Sequence, residues 1–219
     1  MKHLFDDIAA DFDLAALSAE LALTPDLPEY AEFGELLAEA NRIARPRAAL
    51  LELPILGRTH DQLTVPGGVF TSRLLVENCA GEKLILYAAS CGPELDALRR
   101  PDDDPLRIFW LETLKAAALW RAFSVLKLEL DRLDIPDLKS LDPTDSGTWP
   151  VEGLVDLFAV MPGATRDFLQ IELTENMYML PNKSRLGVFF QAADANFSPC
   201  VHCSMRERCA GHRKLPGMG

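Results

Sequence analysis

One segment constrains the fold more than any other: residues 105 to 131 form the longest continuous periodic stretch of the chain. Ile108, Leu111, Leu114, Ala118, Phe123 and Leu126 recur at the spacing of one apolar helix face. No proline interrupts the stretch before Pro136, and the small residues Ala116 to Ala118 allow another element to approach closely. A helix of this kind buries its stripe only if other elements cover it.

The rest of the chain supplies covering elements of both types. Residues 8 to 43 read as helical, with Ile8, Ala9, Phe12, Leu14, Leu17 and Leu21 on one side and an interruption at residues 24 to 28. A second helix over about residues 29 to 44 carries Phe33, Leu36, Leu37, Ala40 and Ile43 at three-and-four spacing. Alternation over residues 49 to 53 predicts a strand, and the apolar run 83 to 89 predicts a buried one. Between them, residues 74 to 76 read as a short helix, N-capped by Thr71 or Ser72 and stopped by Gly81. Pro93 suits a first helical position, and Asp102, Asp103 and Asp104 form a solvated loop that favours the next helix start. Residues 135 to 149 read as loop, 151 to 158 as a short helix, and 168 to 173 and 186 to 190 as strands on either side of a turn at 181 to 184. Helices mixed with a modest number of strands predict an α+β fold. One compact domain is expected over residues 1 to 198, followed by a cysteine-rich tail over 199 to 219.

Charge excludes one class of function. The chain has 33 acidic residues against 22 Lys and Arg, a net charge of −11, which argues against non-specific nucleic-acid binding. The sign is uneven: ten acids and one base, Lys2, fall in the first forty residues, whereas Arg206, Arg208, Arg213 and Lys214 dominate after Cys200. The opening residues lack the apolar run of a secretory signal, and no stretch is long enough to span a membrane, so a cytoplasmic location is expected.

Three of the five cysteines lie in the last twenty residues, spaced Cys200-x2-Cys203-x5-Cys209, with His202 and His212 nearby. In a reducing compartment close thiols suit a soft metal, either an iron–sulfur cluster or, as Cys3His with His212, zinc. The fourth ligand is open between Cys91, Cys79, His202, His212 and a non-protein group. Cys91 also reads as a small residue in a tight Cys91-Gly92-Pro93 turn, and Cys79 as buried filler. Lys183 and Ser184 suit a carboxylate or phosphate at a turn, or simply stabilise that turn. Trp110, Trp120 and Trp149 are too far apart for a stacking platform, and the first two read as core. No phosphate-cradling glycine loop, nucleophile elbow or HExxH helix occurs, and the three aspartates lack a calcium-loop pattern.

Several segments, in order, carry a resemblance to a family. They are Tyr87-Ala88-Ala89-Ser90-Cys91-Gly92-Pro93-Glu94-Leu95, the alanine-rich helix, Ser146-Gly147-Thr148-Trp149-Pro150, Ile171-Glu172-Leu173-Thr174-Glu175-Asn176, and Met179 through Val188 with Pro181-Asn182-Lys183-Ser184. Together with the cysteine tail and Arg213, the chain resembles the small stand-alone relatives of the activation domain of vitamin B12-dependent methionine synthase, over most of residues 30 to 213. The resemblance implies a twisted, mainly antiparallel sheet packed by helices. It further implies an accessory or reactivation role for a cobalamin-dependent methyltransferase, docking a corrinoid protein that carries the cobalamin. S-adenosylmethionine is the methyl donor implied, with Glu172, Glu175, Lys183 and Ser184 lining its groove. The family's Arg-x-x-x-Gly-Tyr-Pro-Ala-Cys-Pro signature has no match, and residues 141 to 150 stand in its place. Ser184-Arg185-Leu186-Gly187 likewise departs from the usual Ser-x-Ser-Gly. A non-catalytic metal-binding module and a single-cluster electron-transfer protein are the alternatives.

Overall fold

A computed structural model describes residues 2–133, 135–144 and 148–208. The chain opens with strand β1 (Lys2–Phe5), helices α1 (Leu14–Glu20) and α2 (Pro28–Ile43), and strand β2 (Arg47–Pro54). A small meander follows, β3 (Gly57–Arg58), β4 (Gln62–Val65) and β5 (Gly68–Thr71), then helix α3 (Arg73–Asn78) and the long strand β6 (Cys79–Ser90). After a 3-10 turn at Pro93–Leu98 come helix α4 (Pro105–Asp131), strand β7 (Leu138–Leu141) and helices α5 (Gly153–Val160) and α6 (Gly163–Leu169). The hairpin β8 (Glu172–Leu173) and β9 (Met179–Leu180), strand β10 (Ser184–Ala192) and the short helix α7 (Pro199–His202) complete the described part.

The main sheet has the order β1-β2-β6-β10-β7, and every neighbouring pair is antiparallel. Its central strands are buried on both faces, which is why they read as nearly unbroken apolar runs. Successive side chains point to opposite faces. Ala49, Leu51, Leu84, Leu86, Val188 and Phe190 therefore meet the meander and α5 on one side. Leu50, Ile85, Tyr87 and Phe189 meet the second half of α4 on the other. The first half of α4 joins a third core with α2 and the 3-10 turn, where Trp110 packs on Phe33 with ring centroids 5.6 Å apart. A single apolar stripe thus serves two cores.

Local chemistry accounts for the helix starts. Asp104 Oδ1 accepts from Arg107 N at 2.8 Å, capping α4 one residue before Pro105, and Asp103 pairs with Arg107 Nε at 2.8 Å. Ser72 caps α3, its Oγ accepting from Leu75 N. The α3 helix ends at Asn78 rather than near Gly81, because Cys79 already pairs with Ala192 in the sheet.

Four sequence expectations change. The first helix begins only at Leu14: Asp13 caps it, and Asn41 holds the backbone of Phe12 in both directions. Residues 163–169 are helical, so the expected strand over 168–173 shrinks to Glu172–Leu173 after Gln170 turns into the left-handed region. The segment 135–149 contains edge strand β7. Trp120 is 58% exposed on the outer side of α4, so only Trp110 and Trp149 are core.

Candidate functional site

The turn at 181–184 is tied to α4 by an ionic network. Glu112 Oε2 accepts from Asn182 Nδ2 at 2.7 Å and from Lys183 Nζ at 2.8 Å. Glu112 Oε1 pairs with Lys115 Nζ at 3.2 Å, and Lys115, only 4% exposed, reaches Asp96 at 2.7 Å. Ser184 turns inward, its Oγ donating to Pro181 O at 2.8 Å. Lys183 and Ser184 therefore act first on the turn itself, fixing its place beside the 3-10 segment.

The network has a measurable pH signature. Burial opposes ionisation of Glu112, yet hydrogen bonds from Lys183, Asn182 and Lys115 hold its carboxyl at about 2, below the ordinary 4.5. A depressed folded-state value means stability present above pH 4.5 and lost as pH falls towards 2. Allowing for partial exposure, the loss is about 2 kcal/mol. Urea unfolding across this window should show the fall, and Glu112→Gln should remove that part of it. An unchanged pH slope in the variant would refute the assignment.

Beside this turn lies a groove of ≈ 540 Å³, bordered by Asp96, Arg166, Asp167, Glu172 and Pro181. Of the four residues expected at a ligand groove, Glu172 alone lines it; Glu175 is exposed in the β8–β9 loop, and Lys183 and Ser184 sit behind Pro181 in the network. Three carboxylates and one guanidinium give the groove both signs of charge, with an acidic excess.

A larger groove, ≈ 730 Å³, runs along β7 and is bordered by Lys127, Leu138, Lys139, Phe189, Cys200 and Cys203 among others. Asp142, Arg185 and Tyr87 brace one wall. Arg185 Nε donates to Asp142 Oδ2 at 2.6 Å, and the Tyr87 hydroxyl donates to Oδ1. The guanidinium carbon of Arg185 lies 4.5 Å from the Phe123 ring centroid. Burial, reinforced by the Asp142 charge, raises the Tyr87 hydroxyl well above its usual range, so it remains a donor. Residues 141–144 and Thr148, which border this groove, belong to the stretch standing in place of the family signature. In the sequence Asp142 falls within the expected loop 135–149 and Tyr87 within the apolar run 83–89, so nothing local marks either as part of a cluster.

The described metal candidates lie in different parts of the fold. Cys200 and Cys203 are free, half-buried thiols one helical turn apart, facing the β7 groove. Cys91 is fully buried with α2 and α4, its thiol pushed up to about 12 by burial, and its Sγ is directed at Gly92 O. Cys79 belongs to the core between sheet and meander, its thiol also raised by burial. The His202 ring stacks on Phe197. Cys209 and His212 lie outside the described residues. Among the described residues no three His, Cys, Asp or Glu side chains gather closely enough to hold a metal ion. Nor is any described helix long and apolar enough to cross a membrane.

These elements define an α+β domain: a five-stranded antiparallel sheet, one long helix on one face, and a meander with short helices on the other. No family model and no curated protein matches this chain. Among solved structures it is similar to the MetH reactivation domain bound to AdoHcy, at 14% identity and a TM-score of 0.56, covering 90% of this chain and 80% of that one. The fold expected from the resemblance is thus the fold observed.

Proposed function

We propose that this chain is an accessory protein of the reactivation type for a cobalamin-dependent methyltransferase, docking the corrinoid protein that carries the cobalamin. The observation that carries this reading is the fold likeness over nine-tenths of the chain to a reactivation domain that holds AdoHcy. The small-molecule half of the reading is S-adenosylmethionine, which supplies a methyl group when bound. Its ammonium and sulfonium charges suit Asp96, Asp167 and Glu172, and its carboxylate suits Arg166. Lys183 and Ser184 support that groove by fixing Pro181, and Glu175 lies on the adjoining hairpin loop. In this reading residues 1–198 form the domain and 199–219 an appended cytoplasmic metal-binding tail. Cys200, Cys203 and Cys209, with His212, are its ligands for an iron–sulfur cluster or zinc. The free, half-buried state of Cys200 and Cys203 supports this donor set, whereas the burial of Cys91 leaves it a packing role.

Calorimetric titration with S-adenosylmethionine should give saturable binding, weakened about tenfold by Glu172→Gln combined with Asp167→Asn, a loss of about 1.4 kcal/mol. Interferometry against a cobalamin-loaded methyltransferase fragment should show reversible docking. Absence of both kinds of binding overturns the reading. Metal analysis after anaerobic purification tests the tail separately. A metal-loaded protein that binds neither probe would instead be an interaction module, the alternative favoured by the free, half-buried thiol pair.

A further inference from the structure

We propose that the outer face of α4, where it meets α1, docks an amphipathic helix of a partner protein, one whose polar flank is rich in Lys and Arg. This surface lies beyond the reactivation reading and uses none of the residues assigned to it.

The α4 helix buries its inner side in two cores, yet Leu106, Phe109, Trp120 and Leu128 are all exposed on the other side. At about 100° per residue these four fall within about 100° of the helix circumference, so they form one stripe. Thr113, Ala117 and Ser124 occupy the same sector, and no charged residue enters it before Lys127. The solvent side of a helix is ordinarily polar and charged. A continuous apolar strip there marks a surface that another chain covers. From Leu106 to Leu128 the strip is about 33 Å long, which matches a partner helix of about 22 residues.

The middle of the strip opens into a groove of ≈ 360 Å³ between α1 and α4, bordered by Ala16, Leu17, Ala116, Ala117 and Trp120 among others. Its small side chains let a second helix approach closely, while the Trp120 ring stands beside them as a wall. The groove is held in shape from α4. Arg121 Nε donates to Ala10 O at 3.0 Å and Nη2 to Asp11 O at 2.8 Å, fastening the segment before α1 to the long helix.

Charge selects the occupant. Asp11, Asp13 and Glu20 lie along the α1 lip, and none forms an ion pair among the described residues. Asp13 caps α1, whereas Arg121 on the facing lip gives its donors to backbone carbonyls. The lip therefore keeps an acidic excess, within a stretch of forty residues that has ten acids and one base. A second copy of the chain would bring two such lips into one interface, each on a molecule of net charge −11. A basic flank instead pairs with the carboxylates and lays a cation over the Trp120 ring. An apolar helix face set into a groove, with charges at its rim, is a recurrent mode of helix recognition.

The test titrates the full chain with three synthetic peptides of matching length. The first carries Leu at i, i+3, i+4 and i+7 with Lys elsewhere, the second replaces Lys by Glu, and the third scrambles the first. Trp110 and Trp149 are buried, so covering Trp120 should shift the tryptophan emission to the blue, and Trp120→Phe should abolish the shift. The Lys peptide should bind at least about tenfold tighter than either control. Trp120→Ala, and separately Asp11→Asn with Glu20→Gln, should each weaken it at least about fivefold without lowering the melting temperature. Asn tolerates the positive φ of 42° at position 11. Glu82→Gln with Glu152→Gln, two exposed acids elsewhere, should leave binding unchanged. Equal binding of the Glu or scrambled peptide, no blue shift, binding that survives Trp120→Ala, or equal weakening by the remote pair would each overturn the proposal. So would sedimentation of the free chain as a dimer that already shields Trp120.

Discussion

Trp149→Ala should destabilise the fold by about 3–5 kcal/mol, the usual cost of deleting a large aromatic side chain from a packed core. Trp149 is fully buried and packs on Phe70 with ring centroids 5.8 Å apart, and Gly153 is pressed directly against its indole edge. In a chain of this length the loss corresponds to a fall of about 10 °C or more in melting temperature. Trp149→Phe should cost clearly less, because the indole N–H has no hydrogen-bond partner among the described residues and its removal orphans nothing. Urea denaturation of both variants measures the difference. Equal losses would show that the complete indole, which Phe cannot replace, sets the cost at this position. The neighbouring Thr148 borders the β7 groove, so loss of the Trp149 anchor should also loosen that wall.

Gly187→Ala should cost about 3 kcal/mol, towards the upper end for forcing one extra methyl into a closed site. The cause is space rather than backbone strain, since the new Cβ would meet Leu141 O, Asp142 Oδ1 and the Tyr87 hydroxyl, each within 2.8 Å. Tyr87→Phe alone should lose about 1 kcal/mol for its hydrogen bond to Asp142. Because the Tyr87 hydroxyl is one of the atoms the methyl strikes, the two substitutions should couple: the double variant should be more stable than the sum by at least about 0.5 kcal/mol. Strict additivity would mean that β7 simply moves aside as a unit.

Much of the architecture is legible in the chain itself. The stripe of α4 and the cap at Asp104 are local features; β2 announces itself by alternation, and β6 and β10 as apolar runs because both of their faces are covered. The edge strands do not. Lys-His-Leu-Phe in β1 and Leu-Lys-Ser-Leu in β7 are too short and too mixed for periodicity to distinguish from loop, and their extension is imposed by register with β2 and β10. Residues 168–173 show the converse failure. A short apolar run suits strand or helix alike, and packing of Leu169 and Ile171 into the core beneath the sheet settled it as a helix end.

The candidate sites divide along the same line. The turn at 181–184 and the thiol spacing of Cys200 and Cys203 follow from residue order, because turn chemistry and ligand spacing act over a few residues. Order along the chain cannot show that Glu112, about 70 residues before the turn, fixes Lys183. Nor can it show that Asp142 spends both oxygens on Arg185 and Tyr87. Charge pairing acts over a few ångströms in space, and only the folded sheet brings those residues within that range. By itself, then, the sequence determined the α+β class, the long helix and the central strands. The tertiary structure alone decided which charges are spent on holding the fold, because pairing depends on distances in space rather than along the chain.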